Sequence, residues 1–449
     1  MDAYNYKGRK ILILGLGREG GDSLKFFLKN FPENEIGVAD KTNQDKLNSQ
    51  VKELLDKNPR VRAILGENYL AAMKNYDIVV KSPGIPIHLP EIEQACAQGK
   101  ITSQTEIFFE RCPGMIIGVT GTKGKSTTAS ITYEIIKKAG KKVALLGNIG
   151  TPMLSYLDNA DRDSIFVCEL SAHQLYNLKK SPHFAVLLNI YREHLDYYKD
   201  FTEYIRAKSN IAMHQSENDF LIYNSANPEV AAIAAKSFAQ KIAFNEYRWD
   251  FPDKTNLIGK FNLENAKIGA IIGRAIGIGD DIINAAIEEF NPLDNRLEFA
   301  GNFNGIDCYN DSLSTIQESA VAAIEGLGER VQTLIAGGFD RSQPFEKLAG
   351  AILSSNIETL VLFPTTGQRI WRQVQEEARG RAAARLEKIK PFFVESMEEA
   401  VRLALNNTRR GGICLLSAAS ASFNGFRDYA DRGSQFKNWL RKAATEKND

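Results

Sequence analysis

Cysteine is scarce in this chain of 449 residues, and the five present (Cys96, Cys112, Cys168, Cys308 and Cys414) lie far apart with no paired spacing. That argues against a disulfide framework and a thiolate zinc site, and a reducing compartment fits best. Net charge is lacking as well. The 56 basic and 55 acidic residues leave +1, so no overall field draws the protein to nucleic acid or anionic lipid. No stretch approaches the roughly 20 apolar residues of a membrane span, and the opening MDAYNYKGRK has no apolar core of the kind a signal peptide needs. A cytoplasmic protein without nucleic-acid or membrane partners is expected. Internal repeats and low-complexity tracts are missing too. The 43% hydrophobic and 25% charged residues match a globular composition, and at roughly 150 residues per domain the length predicts about three domains.

Short β-rich apolar runs alternate with helix-length segments from end to end, which predicts an α/β fold of parallel sheets covered by crossover helices. Strands are expected at 10–14, 35–39, 77–80, 115–119, 142–146, 164–170 and 184–189, and again at 220–223, 306–309, 331–336, 359–363 and 413–416. Helical patterns run over 22–30, 201–213 and 282–290, segment 41–50 reads as a surface loop or helix start, and 442–449 as a frayed end. The breaks at Arg111-Cys112-Pro113-Gly114 and Asn291-Pro292-Leu293-Asp294 divide the chain into 1–111, 112–298 and 299–449.

Two glycine-rich segments carry phosphate chemistry. The first, Gly15-Leu16-Gly17-Arg18-Glu19-Gly20, follows a strand and precedes a helix, with Asp40 ending the next strand. This is the dinucleotide fingerprint, although the glycines alone could serve a tight turn. The second, Gly118-Val119-Thr120-Gly121-Thr122-Lys123-Gly124-Lys125-Ser126-Thr127, is a variant phosphate loop in which Val119 stands where the strict pattern has glycine. Its glycines let backbone N–H groups converge on phosphate oxygens, Lys125 adds a point charge, and Ser126 or Thr127 offers a hydroxyl to Mg²⁺. Such a loop behind a Rossmann-like first domain is an odd arrangement for a dehydrogenase. Glu169 ends the strand SIFVCEL on the ligand-binding edge of a parallel sheet, and His194 follows the next strand toward the same rim. Lys208 reads from periodicity as a solvated helix cation.

Taken in order, GTKGKST (121–127), GNIGTP (147–152), CELSAHQL (168–175), NIYREHLDYY (189–198), RAKSNI (206–211) and GKFNLENA (259–266) resemble the Mur ligase family. Arg296, NDS (310–312), AGGFDRS (336–342) and LLSAASASFNGFRDYADRG (415–433) continue the resemblance, and SPGIP (82–86) points to the branch that adds glutamate. The likeness implies three domains: a Rossmann-like N-terminal domain binding a UDP-sugar, a central phosphate-loop ATPase-like domain binding ATP, and a Rossmann-like C-terminal domain binding an amino acid. It implies a monomeric ATP-dependent amide ligase that adds glutamate to UDP-N-acetylmuramoyl-L-alanine through an acyl phosphate. D-Glutamate is favoured, and the L-glutamate-adding branch is the alternative. More remote are a folyl-polyglutamate type ligase, which would not carry this first domain, and an NAD-binding protein, which would leave Lys125, Glu169, His194 and Lys208 unexplained.

By the same resemblance Gly121, Thr122, Lys123, Gly124, Lys125, Ser126 and Thr127 hold the ATP phosphates. Asn262, Asn265, Arg296 and Asp311 serve the nucleotide. Ser126 and Glu169 ligate one Mg²⁺, while His194 and Lys208, the latter as its carbamate, serve a second. Gly15, Leu16, Gly17, Arg18, Asp40, Ser82, Gly84, Asn148 and His194 face the UDP-sugar, and Arg341, Ser422 and Tyr429 the glutamate. Departures fall at the amino-acid end: Leu313 follows Asn-Asp-Ser, and Arg341 follows the Gly-Gly pair, where lysines are expected.

Overall fold

The computed structural model describes residues 5–194, 197–252, 254–379, 382–423 and 425–445. The first sheet consists of β1 (Ile11–Leu14), β2 (Ile36–Asp40), β3 (Arg62–Leu65), β4 (Ile78–Lys81) and β5 (Ile101–Thr102). Its order is β3-β2-β1-β4-β5 and every pair is parallel. Strands β1 and β4 are buried along their whole length, because helices cover both faces of such a sheet, and this is why they read as continuous apolar runs. The strand order reverses between β1 and β4, which opens a crevice at their carboxyl ends.

The second sheet holds β6 (Met115–Thr120), β7 (Val143–Gly147), β8 (Ile165–Glu169), β9 (Phe184–Leu187), β10 (Phe220–Tyr223) and β11 (Gln240–Ala243). It too is parallel throughout, in the order β11-β10-β9-β6-β8-β7, so β6 lies between β8 and β9. The third sheet is mixed. It contains β12 (Glu298–Phe303), β13 (Ile306–Asn310), β14 (Val331–Gly337), β15 (Thr359–Phe363), β16 (Lys390–Phe393) and β17 (Ile413–Leu416). Only the β12–β13 pair is antiparallel in the order β12-β13-β17-β14-β15-β16.

The α/β expectation is met, and the strands it omitted share a cause. Strands β3, β5, β11, β12 and β16 all lie at sheet edges. An edge strand is half covered and tolerates polar residues, bulges and proline. Strand β3 opens on exposed Arg62, β12 has a register shift between Phe299 and Gly301, and β16 contains Pro391. The helix Phe201–Met213 has the expected span, while the one expected at 282–290 runs Asp280–Glu289. Segment 41–50 contains a short turn at Gln44–Lys46 and the start of the helix Ser49–Asp56. One expectation needs correction: of the expected frayed end, residues 442–445 belong to the helix Tyr429–Thr445, and residues 446–449 lie outside the described residues. Phe436 and Leu440, four apart, bury one face of that helix and carry it onward.

The chain forms two compact units: Met1–Pro252 with Glu264–Ile287, and Asp253–Leu263 with Glu288–Asp449. A boundary after residue 298 would cut β12, whereas the second unit takes in the whole strand. Among the described residues, no helix is long and apolar enough to cross a membrane.

The glycine loop after β1 gives a test of this packing. A Cβ on Gly20 would stand 1.9 Å from the Gly15 carbonyl oxygen, while one on Gly17 would meet nothing within 4 Å. Gly20→Ala is expected to cost roughly 1–3 kcal/mol as an overpacked site, and Gly17→Ala to stay within about 0.5 kcal/mol of the parent. Urea unfolding of the two variants checks this, and equal losses would contradict the close approach.

Candidate active site

At the centre of the second sheet, β6 runs directly into the phosphate loop. Val119, the departure from the strict pattern, is a fully buried strand residue in register with Glu169 on β8 and Val186 on β9. The missing glycine therefore falls inside the strand. Gly121 (φ +153°) and Gly124 (φ +89°) supply the turn itself, and a Cβ on Gly121 would stand 2.7 Å from the Leu188 Cβ. Thr122 pins the loop: its N–H donates to the Asn189 carbonyl at 2.6 Å, and its Oγ1 accepts from the Tyr191 N–H at 2.9 Å and lies 3.1 Å from the Tyr204 hydroxyl. The helix Lys125–Lys138 follows, with Ser126 and Thr127 buried in its first turn. Such a helix start presents backbone N–H groups and a positive dipole end to an anion. Asn265 closes the loop's outer side, accepting from the Thr128 hydroxyl at 3.0 Å.

Two lysine amines meet on one oxygen of this loop. Lys125 Nζ donates to the carbonyls of Gly121 (3.0 Å) and Thr122 (3.1 Å), and Lys208 Nζ donates to the same Gly121 carbonyl at 2.9 Å. Lys208 is 1% exposed, which corrects its reading as a solvated cation. It lies within the buried stripe Tyr204, Ala207, Lys208, Ile211 and Ala212 of the helix Phe201–Met213, a helical spacing that could have flagged it. Burial, reinforced by the charge on Lys125, drives its pKa well below the ordinary lysine value, and Glu193 and Glu169 pull the other way without restoring it. Its amine lies 4.9 Å from the centre of the Tyr204 ring.

The carboxylate of Glu169 faces this cluster from the end of β8. It is 1% exposed, its Oε1 accepts from the Asn148 side-chain amide at 3.0 Å, and its Oε2 is buried with no hydrogen-bond partner among the described residues. A buried carboxylate oxygen without a donor is costly, and a hard divalent cation would satisfy it. His194 stands nearby with φ +59°, in the left-handed region. Burial lowers its pKa and Glu193 opposes that, so the imidazole tends toward the neutral form that ligates metals. Glu193, which sequence reasoning passed over, pairs with Lys123 at 2.8 Å. Burial works against its charge, but Lys123, His194 and Lys125 together hold it down at about 2. Among the described residues no three His, Cys, Asp or Glu side chains form a cage. The fit is to Mg²⁺, which binds one or two carboxylates and completes its shell with water and phosphate oxygens. Leu195 and Asp196 of the same motif lie outside the described residues.

A cleft of about 640 Å³ opens at the β1/β4 switch point, lined by Gly15, Leu16, Gly17, Arg18, Asp40 and Ser82 among others, with Gly84 at its edge. Asp40 accepts from the N–H groups of Leu16 (2.6 Å) and Thr42 (2.7 Å), and the Ser82 hydroxyl donates to the Gly15 carbonyl at 2.9 Å. The Arg18 guanidinium reaches the second sheet, donating to the carbonyls of Gly147 (2.7 Å) and Asn148 (3.2 Å). The loop that holds Glu169 through Asn148 is thus held in turn by the glycine loop of the first sheet. Glu19, inside the glycine motif but given no role by the sequence, is half-buried there and accepts from the Gln174 amide at 2.7 Å, with desolvation raising its pKa to about 7.

In the second unit, Asp311 is buried at the end of β13. It accepts from the Leu297 N–H and from the hydroxyls of Ser314 and Ser417, and burial raises its pKa to about 6. The Arg296 N–H donates to the Leu293 carbonyl at 3.0 Å, and the Asn262 amide to the Ile258 carbonyl at 2.9 Å. Arg432, unremarked in the sequence, is fully buried and donates to the Ser312 carbonyl (2.7 Å), the Ser312 hydroxyl (3.0 Å) and the Ser420 carbonyl (3.1 Å). It ties the Asn-Asp-Ser turn to the loop after β17. Ser422 is buried in that loop, Arg341 is exposed in the loop after β14, and Leu313 is half-buried. The Tyr429 carbonyl accepts from the Ser312 hydroxyl at 2.8 Å. Asn424 lies outside the described residues.

Residues 119–251 match the Mur ligase middle domain, and residues 9–102 match the Mur ligase MurD-like N-terminal domain. A UDP-N-acetylmuramoylalanine–D-glutamate ligase of Acetivibrio thermocellus is 32% identical, with 96% of each chain covered. One of Koribacter versatilis is 30% identical over 98% of this chain and 99% of its own. Among solved structures, MurF from Acinetobacter baumannii superposes with a TM-score of 0.60 at 14% identity, covering 96% of this chain and 90% of its own. The UDP-N-acetylmuramate-alanine ligase MurC from Thermotoga maritima gives 0.58 at 16% identity, covering 97% and 100%. At these identities the structural likeness speaks for the fold.

The buried amine makes stability depend on pH in a defined direction. Because the folded-state pKa of Lys208 lies below the ordinary value of 10.5, the unfolded chain binds a proton that the native state lacks, and stability contributed here rises with pH up to that value. Lys208→Met is therefore expected to be more stable than the parent at neutral pH in CO₂-free buffer, with an advantage that shrinks as pH climbs toward 10.5. Urea unfolding at several pH values measures this. An advantage independent of pH would mean that Lys208 stays charged in the fold.

Proposed function

Because the chain belongs to the Mur ligase family, we propose that it is an ATP-dependent amide ligase joining D-glutamate to UDP-N-acetylmuramoyl-L-alanine in peptidoglycan precursor synthesis. The observation that carries the chemistry is the convergence of Lys125, Lys208 and the orphaned Glu169 oxygen on one phosphate loop. The full-length likeness to ligases named for D-glutamate supports that enantiomer over L-glutamate.

In this reading the alanyl carboxylate attacks the γ-phosphorus of ATP, ADP leaves, and an acyl phosphate forms. The glutamate amine then attacks the acyl carbon, phosphate departs, and the amine loses a proton. The loop from Gly121 to Thr127 grips the triphosphate through backbone N–H groups, with Lys125 as its point charge and Ser126 and Thr127 as hydroxyl donors. Phosphate oxygens arriving there would take Lys125 from the carbonyls it now engages. Asn262, Asn265, Arg296 and Asp311 serve the nucleotide. Ser126 and Glu169 would hold one Mg²⁺, and His194 with Lys208 would hold a second. Bound Mg²⁺ would reduce the repulsion between the triphosphate and an approaching carboxylate.

Burial and the lowered pKa of Lys208 support a role as its carbamate. A neutral amine attacks CO₂, the N–C bond forms and a proton is lost. The product presents oxygen ligands where an ammonium would repel a divalent cation. The first cleft takes the UDP-sugar rather than NAD, through Gly15, Leu16, Gly17, Arg18, Asp40, Ser82 and Gly84, with Asn148 and His194 at the sugar's reactive end. Arg341, Ser422 and Tyr429 receive glutamate, the arginine gripping a carboxylate with two parallel N–H bonds. The functional division is an N-terminal UDP-sugar part (1–111), a central ATP part (112–298) and an amino-acid part (299–449). Monomeric action in the cytoplasm completes the proposal, and five free cysteine thiols are consistent with it.

Phosphate release with ATP, Mg²⁺, UDP-N-acetylmuramoyl-L-alanine and each pure glutamate enantiomer tests this. Turnover is expected with D-glutamate only, and Lys125→Ala and Glu169→Ala should stay folded but lose at least about 10²-fold in kcat, as when a group stabilising transition-state charge is removed. Exclusive use of L-glutamate would overturn the stereochemistry. Wild-type turnover in the folded variants would overturn the site.

A further inference from the structure

Phe423 and Phe339 are among the large apolar side chains of the second unit left in water, at 57% and 39% exposure. They are not scattered. Phe339 follows β14 and Phe423 follows β17, and the two loops are joined by the Phe339 N–H donating to the Ala421 carbonyl at 2.8 Å. The rings meet edge to face with centres 6.0 Å apart and planes at 83°, an arrangement that aromatic quadrupoles favour. The Arg341 guanidinium lies over the Phe423 ring, 5.5 Å from its centre.

The backbone beneath Arg341 is fixed as well. The Arg341 N–H donates to the Gln343 side-chain carbonyl at 2.9 Å, and the Gln343 amide reaches the Ala419 carbonyl at 3.3 Å on the loop after β17. Asp340 accepts from the Ser342 N–H at 2.7 Å and pairs with Arg369. Ser342 itself sits at φ +58°, a conformation these bonds hold in place. Ring and guanidinium are therefore anchored to the same pair of loops.

We propose that Phe423 is a positioning residue that holds the Arg341 guanidinium for the incoming glutamate, with Phe339 bracing the ring. The proposal rests on Arg341 gripping a glutamate carboxylate. A cation–π contact holds the guanidinium beside the ring and leaves N–H groups free, so that a carboxylate can accept two of them. A lysine ammonium could not be oriented this way, so the arginine and phenylalanine act as a pair.

Steady-state kinetics on Phe423→Ala, Phe423→Leu, Phe423→Trp, Arg341→Ala and Arg341→Ala/Phe423→Leu test this. Phe423→Ala and Phe423→Leu are expected to raise KM for D-glutamate roughly fivefold, the scale of a cation–π contact, with kcat and KM for ATP held, and Phe423→Trp to keep KM within about twofold of the parent. In the Arg341→Ala background Phe423→Leu should add nothing. If Arg341→Ala raises KM but Phe423→Leu does not, or if Phe423→Leu acts equally in both backgrounds, the positioning role is overturned while the arginine reading stands. If Arg341→Ala leaves KM for glutamate unchanged, the arginine reading itself fails.

Discussion

The carbonyl oxygen of Gly121, shared by the amines of Lys125 and Lys208, is the contact on which the active-site end of the second sheet depends. Two ammonium groups on one oxygen would repel strongly in a buried setting. Burial, with the charge on Lys125 beside it, weakens the hold of Lys208 on its proton and so eases that repulsion, while Lys125 remains at the loop. Shared contact requires the helix Phe201–Met213 to lie against the turn after β6, and Gly121 lets the backbone turn beside Leu188 where a side chain could not fit. Glu193 and Glu169 then compensate from either side, one paired with Lys123 and the other left with an oxygen for a cation.

The two glycine loops answer to different constraints. After β6 the glycines let the chain turn tightly into the helix Lys125–Lys138, with lysine and hydroxyl groups close behind. After β1, Gly20 lets the helix start pack against the Gly15 carbonyl, and Arg18 turns its charge toward the carbonyls of the second sheet. The run from Arg18 to Asn148 to Glu169 connects the cleft of the first sheet to the carboxylate of the second through direct hydrogen bonds. In the second unit, Arg432 does comparable work by bonding Ser312 and Ser420, two motifs far apart in sequence.

Legibility in the sequence followed locality. The buried central strands and both glycine loops could be read because their chemistry lies within a few consecutive residues. Edge strands such as β3 and β16 escaped because Arg62 and Pro391 are tolerated there and break the apolar pattern. Glu193, Glu19 and Arg432 lie inside legible motifs, but their roles could not be read there, since their partners Lys123, Gln174 and Ser312 come from distant segments. Lys208 is intermediate. Its position in the stripe with Tyr204 and Ile211 was visible, but a lysine at a helical spacing ordinarily snorkels to water. Only the covering strand and loop show that it cannot. The Val119 departure had the opposite fate: it looked like a defect in the phosphate loop and proves to be an ordinary strand position.

In the proposed function Lys208 works as its carbamate, a group that an amine with a lowered pKa can form. Carbon-13 NMR of the protein equilibrated with ¹³C-bicarbonate and Mg²⁺ addresses it most directly. A carbamate resonance should appear, vanish on acidification, and be absent in a folded Lys208→Ala variant. A resonance that persists in the variant, or an enzyme fully active in CO₂-depleted buffer with no resonance at all, would contradict the account.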